Sequence, residues 1–307
     1  MAWTEADIPD QSGRVAIVTG GNGGLGLESS RMLAAAGAEV VIAARNETKA
    51  AEAVAAIRES VPEARLSVQP LDLSSLVSVR AFVQRWLAER GALDILVNNA
   101  GVMAIPRSLS ADGFEMQLAT NHLGHFALTL GLMPALQRAA TARVVTVSST
   151  VHFGGRIHFD DLDGERGYSP WPWYFQSKLA NLLFVAELDR RLRSARSSVA
   201  ALAAHPGYSA TDLQFVAGRA RGAAAEQTLM SFANAAFAQS AAAGALPSVQ
   251  AATDPAALSG EYWGSRWLGW FGAPARVGRS GAARDEQVAA RLWEVSEART
   301  GLSLALS

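Results

Sequence analysis

The sequence predicts an α/β fold built on a doubly wound parallel sheet, and three observations carry that prediction. Short β-branched runs alternate with longer helical patterns from Arg14 to Ala204, the order expected of an open sheet with helices on both faces. Most of those runs lack polar alternation, as strands buried on both sides do. The first run feeds a glycine-rich stretch that opens directly into a helical pattern, "VTGGNGGLGLESS" at Val18 to Ser30.

In chain order, the strands are "RVAIVT" (Arg14 to Thr19), "EVVIAA" (Glu39 to Ala44), "RLSVQ", "LDILVN", "RVVTVS" and "SVAALAA". The helices are Leu25 to Ala36, Glu47 to Ser60, Leu76 to Arg90, Phe114 to Leu130 and Tyr174 to Arg193. A charge- and turn-rich insert, Arg156 to Pro172, precedes the last of them. After His205 the pattern weakens into an alanine-rich helical stretch (Ala235 to Ala245), a tryptophan-rich segment "EYWGSRWLGWFG" and an amphipathic tail helix "ARDEQVAARLWEVSEA".

Composition narrows the function classes. At 307 residues and 50% hydrophobic content the chain can bury a large core, enough for one large α/β domain or two smaller ones. A formal net charge of -1 gives no electrostatic reason to expect nucleic acid. The absence of cysteine excludes disulfides, Cys-ligated zinc and thiol catalysis, and fits a reducing compartment. The polar, acidic start "MAWTEADIPDQSG" has the character of neither a signal peptide nor an anchor. With no apolar run of about 18 residues, a cytoplasmic protein is expected, without a membrane span. Monomer and homo-oligomer are both open.

A strand that delivers glycines to a helix N-terminus makes an anion site. The backbone can approach a pyrophosphate closely, and the free N–H groups of the first turn point at it. Two spacings overlap here. Gly20, Gly24 and Gly26 fit TGxxxGxG, and Gly20, Gly23 and Gly26 fit TGxxGxxG.

Other motifs decide between them. "NNAG" (Asn98 to Gly101) follows the fourth strand, and Ser148 and Ser149 close the fifth. "YFQSK" places Tyr174 and Lys178 four apart, on one helix face. Asn121 lies in the helix between those strands. The combination resembles the classical short-chain dehydrogenase/reductase family over roughly Arg14 to Thr211, and the resemblance selects Gly20, Gly24 and Gly26. "TNHLGHF", "RIHFDDL" and "SKLAN" look like its retinol-dehydrogenase-like members, with protochlorophyllide reductases as more distant relatives. The 25 positions from Ser149 to Tyr174 match that group.

The resemblance implies a Rossmann fold in one domain over 1–307. Residues 14–211 would be the cofactor-binding and catalytic core, 212–275 a helical and aromatic region covering the substrate, and 276–307 the tail. It also implies roles. Tyr174 would exchange a proton with the substrate oxygen. Its free pKa near 10 is too high for this at neutral pH, and the ammonium of Lys178 is expected to lower it. Lys178 would also hold the nicotinamide ribose, Ser149 would bind the substrate oxygen, and Asn121 would hold a relay water. The cofactor would further touch Gly20, Asn22, Gly24, Leu25 and Gly26, Asp72 and Leu73 by the adenine, Asn99, Ala100 and Gly101, and Pro206, Gly207 and Thr211 at the carboxamide. Ser209 stands where the family usually has an apolar residue. Asp72 could instead be a helix N-cap, with Ser74 as competitor, and Asn98 is expected to tie strands together.

The cofactor is expected to be NADP(H). Ala44 stands where NAD-preferring enzymes carry a carboxylate for the ribose hydroxyls, and Arg45 follows with a guanidinium suited to a 2′-phosphate. Lys49 could assist. The expected reaction interconverts a carbonyl and an alcohol; reduction of a conjugated C=C bond and non-catalytic dinucleotide sensing are the alternatives. In a chain 7% aromatic, the cluster Trp263, Trp267, Trp270 and Phe271 either closes the far edge of the core, forms a subunit contact or lines a substrate site; together with Trp171 and Trp173 it points to a bulky, apolar substrate. Trp173, next to Tyr174, is the expected contact. His122 and His125 read as packing residues, His152 and His158 as members of a solvated loop with no metal, and Arg190 to Arg196 as a helix end favouring its dipole.

Overall fold

The β-branched runs pair as one eight-stranded sheet. The computed structural model describes residues 2–207, 239–267 and 271–306. Strands β1 (Val15–Thr19), β2 (Glu39–Ala44), β3 (Arg65–Pro70), β4 (Ile95–Asn98), β5 (Arg143–Val147) and β6 (Ala200–Ala204) are joined by helices α1 (Gly24–Ala35), α2 (Glu47–Ser60), α3 (Leu76–Glu89), α4 (Gly124–Arg138) and α5 (Pro170–Ser194). The spatial order is β3-β2-β1-β4-β5-β6-β7-β8. All neighbours pair in parallel except β7 (Tyr262–Trp267) with β8 (Phe271–Arg276), which are antiparallel.

This is the doubly wound sheet the alternation predicts, and it is a Rossmann-type architecture. The chain order reverses between β1 and β4, and the carboxyl ends of β1, β4, β5 and β6 share one edge, where ligands bind in such sheets. The central strands are buried on both faces: Ile17, Val18, Val41, Ile42, Leu96 and Val145 have no measurable exposure. One core layer lies under α3, α4, α5 and α7 (Glu286–Thr300), with Phe82, Trp86, Phe126 and Trp293 at its centre. The other lies under α1, α2 and α6 (Ala241–Thr253), around Met32, Leu33, Ile57 and Val249.

Helix boundaries depart from the sequence reading for local reasons. α5 starts at Pro170 rather than Tyr174. Pro170 and Pro172 both fall in its first turn, where a missing N–H costs nothing. α4 continues to Arg138 through Pro134, and a π-helical turn, Ala119–Leu123, leads into it.

The region expected to cover the substrate divides. Residues 208–238 and 268–270, including Ser209, Thr211 and Trp270, lie outside the described residues. The described remainder belongs to the sheet and its helical layers: α6 packs in the core beside α1, and the tryptophan-rich segment supplies β7 and β8.

The tail helix α7 lies along α5. Trp293 stacks on Phe184 at 5.9 Å and meets Phe126 edge-on at 4.9 Å. Such pairs contribute about 0.5–1.5 kcal/mol each beyond the area they bury. At its end Arg299 grips Asp163 of the insert through two bonds of 2.7 and 2.8 Å, and Asp163 accepts from the Glu115 N–H. Among the described residues no helix is long and apolar enough to cross a membrane.

Candidate active site

The glycine loop leaves β1 and enters α1. Gly20 and Gly24 take φ of +63° and +51°, the left-handed region that disfavours side chains. A Cβ on Gly26 would stand 2.2 Å from the Gly20 carbonyl oxygen and 2.6 Å from Asn99 Nδ2. Gly23, by contrast, is extended at φ −175° with open space beside it. The three positions that need glycine are thus those of TGxxxGxG. No side chain caps α1, so its first-turn N–H groups suit an anion.

Beside this loop lies "NNAG". Thr19 Oγ1 receives the N–H groups of Asn99 and Ala100 at 2.9 and 3.0 Å, and Asn99 Nδ2 donates to the Thr19 carbonyl at 2.8 Å. The two loops are therefore locked together. Asn98 donates to Thr129 and Thr146 and so ties β4 to β5 and α4. Asp72 is not the N-cap of α3, and neither is Ser74: Ser75 holds that position, while the Asp72 carboxylate accepts from Ser74. The Leu73 side chain is buried in the core. Arg45 is exposed immediately after β2.

Asn121 sits on the π-helical turn and is fully buried. Its amide accepts from Val102 N at 2.8 Å and donates to Val102 O and Ser177 Oγ at 2.9 Å. It holds the loop after Gly101, whose Cβ would meet Asn121 Oδ1 at 2.9 Å and Lys178 Nζ at 3.6 Å. The side chain thus clamps the loop that lies beside Lys178.

Ser149, Tyr174 and Lys178 converge at the end of β5. The strand end is clamped to α5: Ser148 Oγ donates to the Lys178 carbonyl at 2.7 Å, and Asn181 Nδ2 and Lys178 Nζ donate to the Val147 carbonyl at 3.0 and 3.3 Å. Ser149, next in the chain, lies beside Tyr174: burial pushes the Tyr174 hydroxyl well above its ordinary value, and the Ser149 hydroxyl acts in the opposite direction. Burial also draws Lys178 down to about 8. Desolvation is therefore the dominant influence on both groups. Lys178 Nζ lies 5.7 Å from the centre of the Tyr174 ring.

Trp173 does not face this group. One residue along a helix turns the side chain by about 100°, and the buried indole stacks on His158 at 5.3 Å and bonds the Leu162 carbonyl at 3.3 Å. Trp171, half-buried, is the indole beside Tyr174, edge-on at 6.2 Å. Gly207 turns at φ +67°, and its N–H donates to buried His205 Nδ1 at 3.1 Å, which shapes the turn after Pro206.

The remaining histidines and arginines resolve individually. His122 and His125 pack in the interior, bonded to Ser296 at 2.8 Å and Thr19 at 2.9 Å. His152 is not in a solvated loop: it is fully buried. Arg190 and Arg191 pair with buried Glu187, and Arg193 with Asp189, so the basic run serves its own helix's carboxylates. Sequence reading missed Thr19, Ser148, Ser177 and Asn181. Only their adjacency to the motifs marks them, because each acts by binding backbone.

The model of the short chain dehydrogenase family matches residues 14–221, and the chain belongs to that family of oxidoreductases. It falls in the retinol-dehydrogenase-like branch. It is 41% identical over 298 residues to mouse (Mus musculus) retinol dehydrogenase 12, covering 96% of this chain and 88% of that one. It is 40% identical to mouse polyprenol dehydrogenase, covering 96% and 86%. A crystal structure of a protein from Mycobacterium Paratuberculosis aligns over 100% of both chains with a TM-score of 0.83 and 42% identity. The Pseudomonas aeruginosa RhlG/NADP active-site complex shares the fold, with a TM-score of 0.64 at 24% identity over 82% of this chain and 94% of that one.

Proposed function

We propose that this protein is an NADP(H)-dependent oxidoreductase that interconverts a carbonyl and an alcohol on a bulky, mostly apolar substrate, with Tyr174 moving the proton. The observation that carries the reading is the grouping of half-buried Ser149 with buried Tyr174 and Lys178 at one strand end, beside a glycine cradle that a single Cβ at Gly26 would fill. That cradle fits a dinucleotide pyrophosphate, with Gly20, Asn22, Gly24, Leu25 and Gly26 around it, Asp72, Leu73 and Asn99 to Gly101 on the adenosine side, and Pro206, Gly207 and Thr211 at the other end. When bound, the nicotinamide supplies or accepts the hydride.

The chain's own groups handle the substrate oxygen. Ser149 and Tyr174, side by side at the end of β5, present two hydroxyls to one oxygen. In reduction the Tyr174 O–H gives that oxygen its proton. A phenol held above its ordinary pKa keeps this proton until an alkoxide, a stronger base, develops beside it. Lys178 stabilises the phenolate left behind, because a buried ammonium gains more from a nearby anion than one in water does. Asn121 fixes the loop beside Lys178.

Arg45, following Ala44 without a carboxylate at the strand end, supports NADP(H) over NAD(H). Similar folds bound to NADP and NADPH agree with it. The substrate class rests on Trp171 at the tyrosine and on relatives named for retinol and polyprenol. Incubating NADPH with retinal, decanal, benzaldehyde and enones, and identifying products, should give alcohols and retain the C=C bonds. Tyr174→Phe should stay folded and lose about 10²–10⁴ in kcat, the span of general-acid catalysis. Trp171→Ala should raise KM more for retinal than for benzaldehyde. A saturated-ketone product, or full activity in Tyr174→Phe, would overturn the assignment.

A further inference from the structure

We propose that His152 is a positioning residue for this reaction, fixing the backbone of Ser149 to the C-terminal segment at Ser280. The inference rests on the reading of Ser149 and Tyr174 given above. His152 lies on the 3₁₀ turn Thr150–Gly154 directly after Ser149, which is the N-cap of that turn. Its ring folds back so that Nδ1 stands 2.7 Å from the Ser149 carbonyl oxygen. Its Nε2 stands 3.2 Å from the backbone N of Ser280, 128 residues away in sequence.

Those two partners define the state of the ring. A carbonyl oxygen only accepts, so Nδ1 carries the hydrogen. A backbone N–H only donates, so Nε2 offers its lone pair. One neutral tautomer satisfies both, and protonation would set Nε2–H against the Ser280 N–H. The surroundings favour the neutral ring. It is fully buried, lies beside Phe153 at 4.3 Å and meets the Tyr262 ring edge-on at 5.6 Å. The charged and titratable groups facing it are Arg279, Tyr262 and His205. Burial and the Arg279 charge hold its pKa below the ordinary value, against the smaller opposite effect of the Ser149 carbonyl.

The consequence falls on Ser149. Its hydroxyl lies beside Tyr174, and its carbonyl is held by the His152 backbone N–H at 3.1 Å and by the ring. The backbone bond closes a turn that any residue could close. The ring bond adds an anchor outside the turn, on the segment following β8. Displacing a reacting group by about 1 Å can cost roughly 100-fold in rate, so loss of the anchor should act on kcat, while the glycine loop and the Asn99 to Gly101 loop, held to each other through Thr19, keep the cofactor affinity.

The test uses the full chain, NADPH, retinal and decanal. His152→Leu should lower kcat about 10- to 100-fold, with KM and the NADPH Kd from fluorescence titration within about threefold. His152→Asn, whose amide nitrogen can take the place of Nδ1 but cannot reach Ser280, should recover only part of the loss, the remainder being the share carried by the Ser280 anchor. In the wild type, ¹⁵N imidazole spectra at neutral pH should show His152 neutral and protonated at Nδ1, a readout independent of turnover and of whether a variant folds. A protonated ring or the Nε2–H tautomer would overturn the proposal, as would wild-type kcat in folded His152→Leu or equal kcat in the Leu and Asn variants. Ser149→Ala measured alongside separates the two readings. Retained activity there, or no turnover of any probe by the wild type, refutes the proposed function, and the tautomer alone then decides the anchor.

Discussion

Replacing Gly26 and Gly23 by alanine, separately, tests the geometry of the glycine loop. At Gly26 the new Cβ would sit 2.2 Å from one backbone oxygen, 2.8 Å from the carbonyl carbon of Gly20 and 2.6 Å from Asn99 Nδ2. Two of those atoms are backbone, so no rotamer change relieves the clash. The loop and the start of α1 must separate, at the overpacking cost of about 1–3 kcal/mol. For 307 residues each kcal/mol lowers Tm by about 1.5 °C, which gives a fall of about 2–5 °C. Because the displaced atoms form the anion cradle, a comparable penalty should fall on cofactor binding, about 5- to 150-fold in Kd at 1.4 kcal/mol per factor of ten. Gly23→Ala meets nothing within 4 Å in an extended backbone. Its poorer capping is offset by reduced freedom of the unfolded chain, so Tm and Kd should stay within about 1 °C and threefold. NADPH fluorescence titration and thermal melts of the two variants read the contrast. Equal loss of affinity in both would refute the assignment of Gly20, Gly24 and Gly26 as the positions that require glycine.

Arg45→Asp should lower the ratio of kcat/KM for NADPH over NADH by about 10- to 100-fold, the scale of one lost charge-assisted hydrogen bond; an unchanged ratio would remove Arg45 from the 2′-phosphate site. Acid stability should reflect the buried histidines. His122 is drawn down to about 3, and His125 and His205 to about 4, all by burial, so below about 6.5 the unfolded chain binds protons that the folded chain does not. Stability is therefore full above that pH and falls as pH drops from about 6.5 toward 4, by up to about 1.4 kcal/mol per pH unit for each histidine. His122→Leu should flatten this limb by about one proton in urea titrations at stepped pH, and an unaltered slope would show that His122 does not contribute.

Sequence legibility followed the range of the physics involved. The sheet was readable because β1, β4 and β5 are buried on both faces and carry no polar alternation to blur them. The conflict between glycine spacings needed either a resemblance or coordinates, since φ at Gly24 and the contact at Gly26 are not written in composition. The grouping of Ser149, Tyr174 and Lys178 was visible because the chemistry demands those residue types. The aim of a side chain was not: Trp173 adjoins Tyr174 in sequence, yet its indole turns under the insert, and Trp171 takes the place beside the ring. The lone histidine after "SST" gave no pattern that would pair it with Ser280, 128 residues on. The tryptophan-rich segment left two readings open, a substrate cover and the far edge of the core, and Tyr262 and Trp263 extend the sheet beside β6.

The grip of Arg299 on Asp163 spans 136 residues, and this has a consequence for how the protein is made. A chain emerges from the ribosome N-terminus first, so β1 to β6 are available for pairing well before α7 exists. Asp163, which steadies the start of the helical segment bearing Asn121 through the Glu115 N–H, must wait for Arg299. During synthesis Phe126 and Phe184 likewise lack the indole of Trp293 that later covers them. The nascent chain therefore passes through an interval in which its sheet is assembled and its aromatic flank is bare. That interval, rather than the sheet itself, is where a holdase chaperone would find apolar surface to bind, and it ends when the last helix is released.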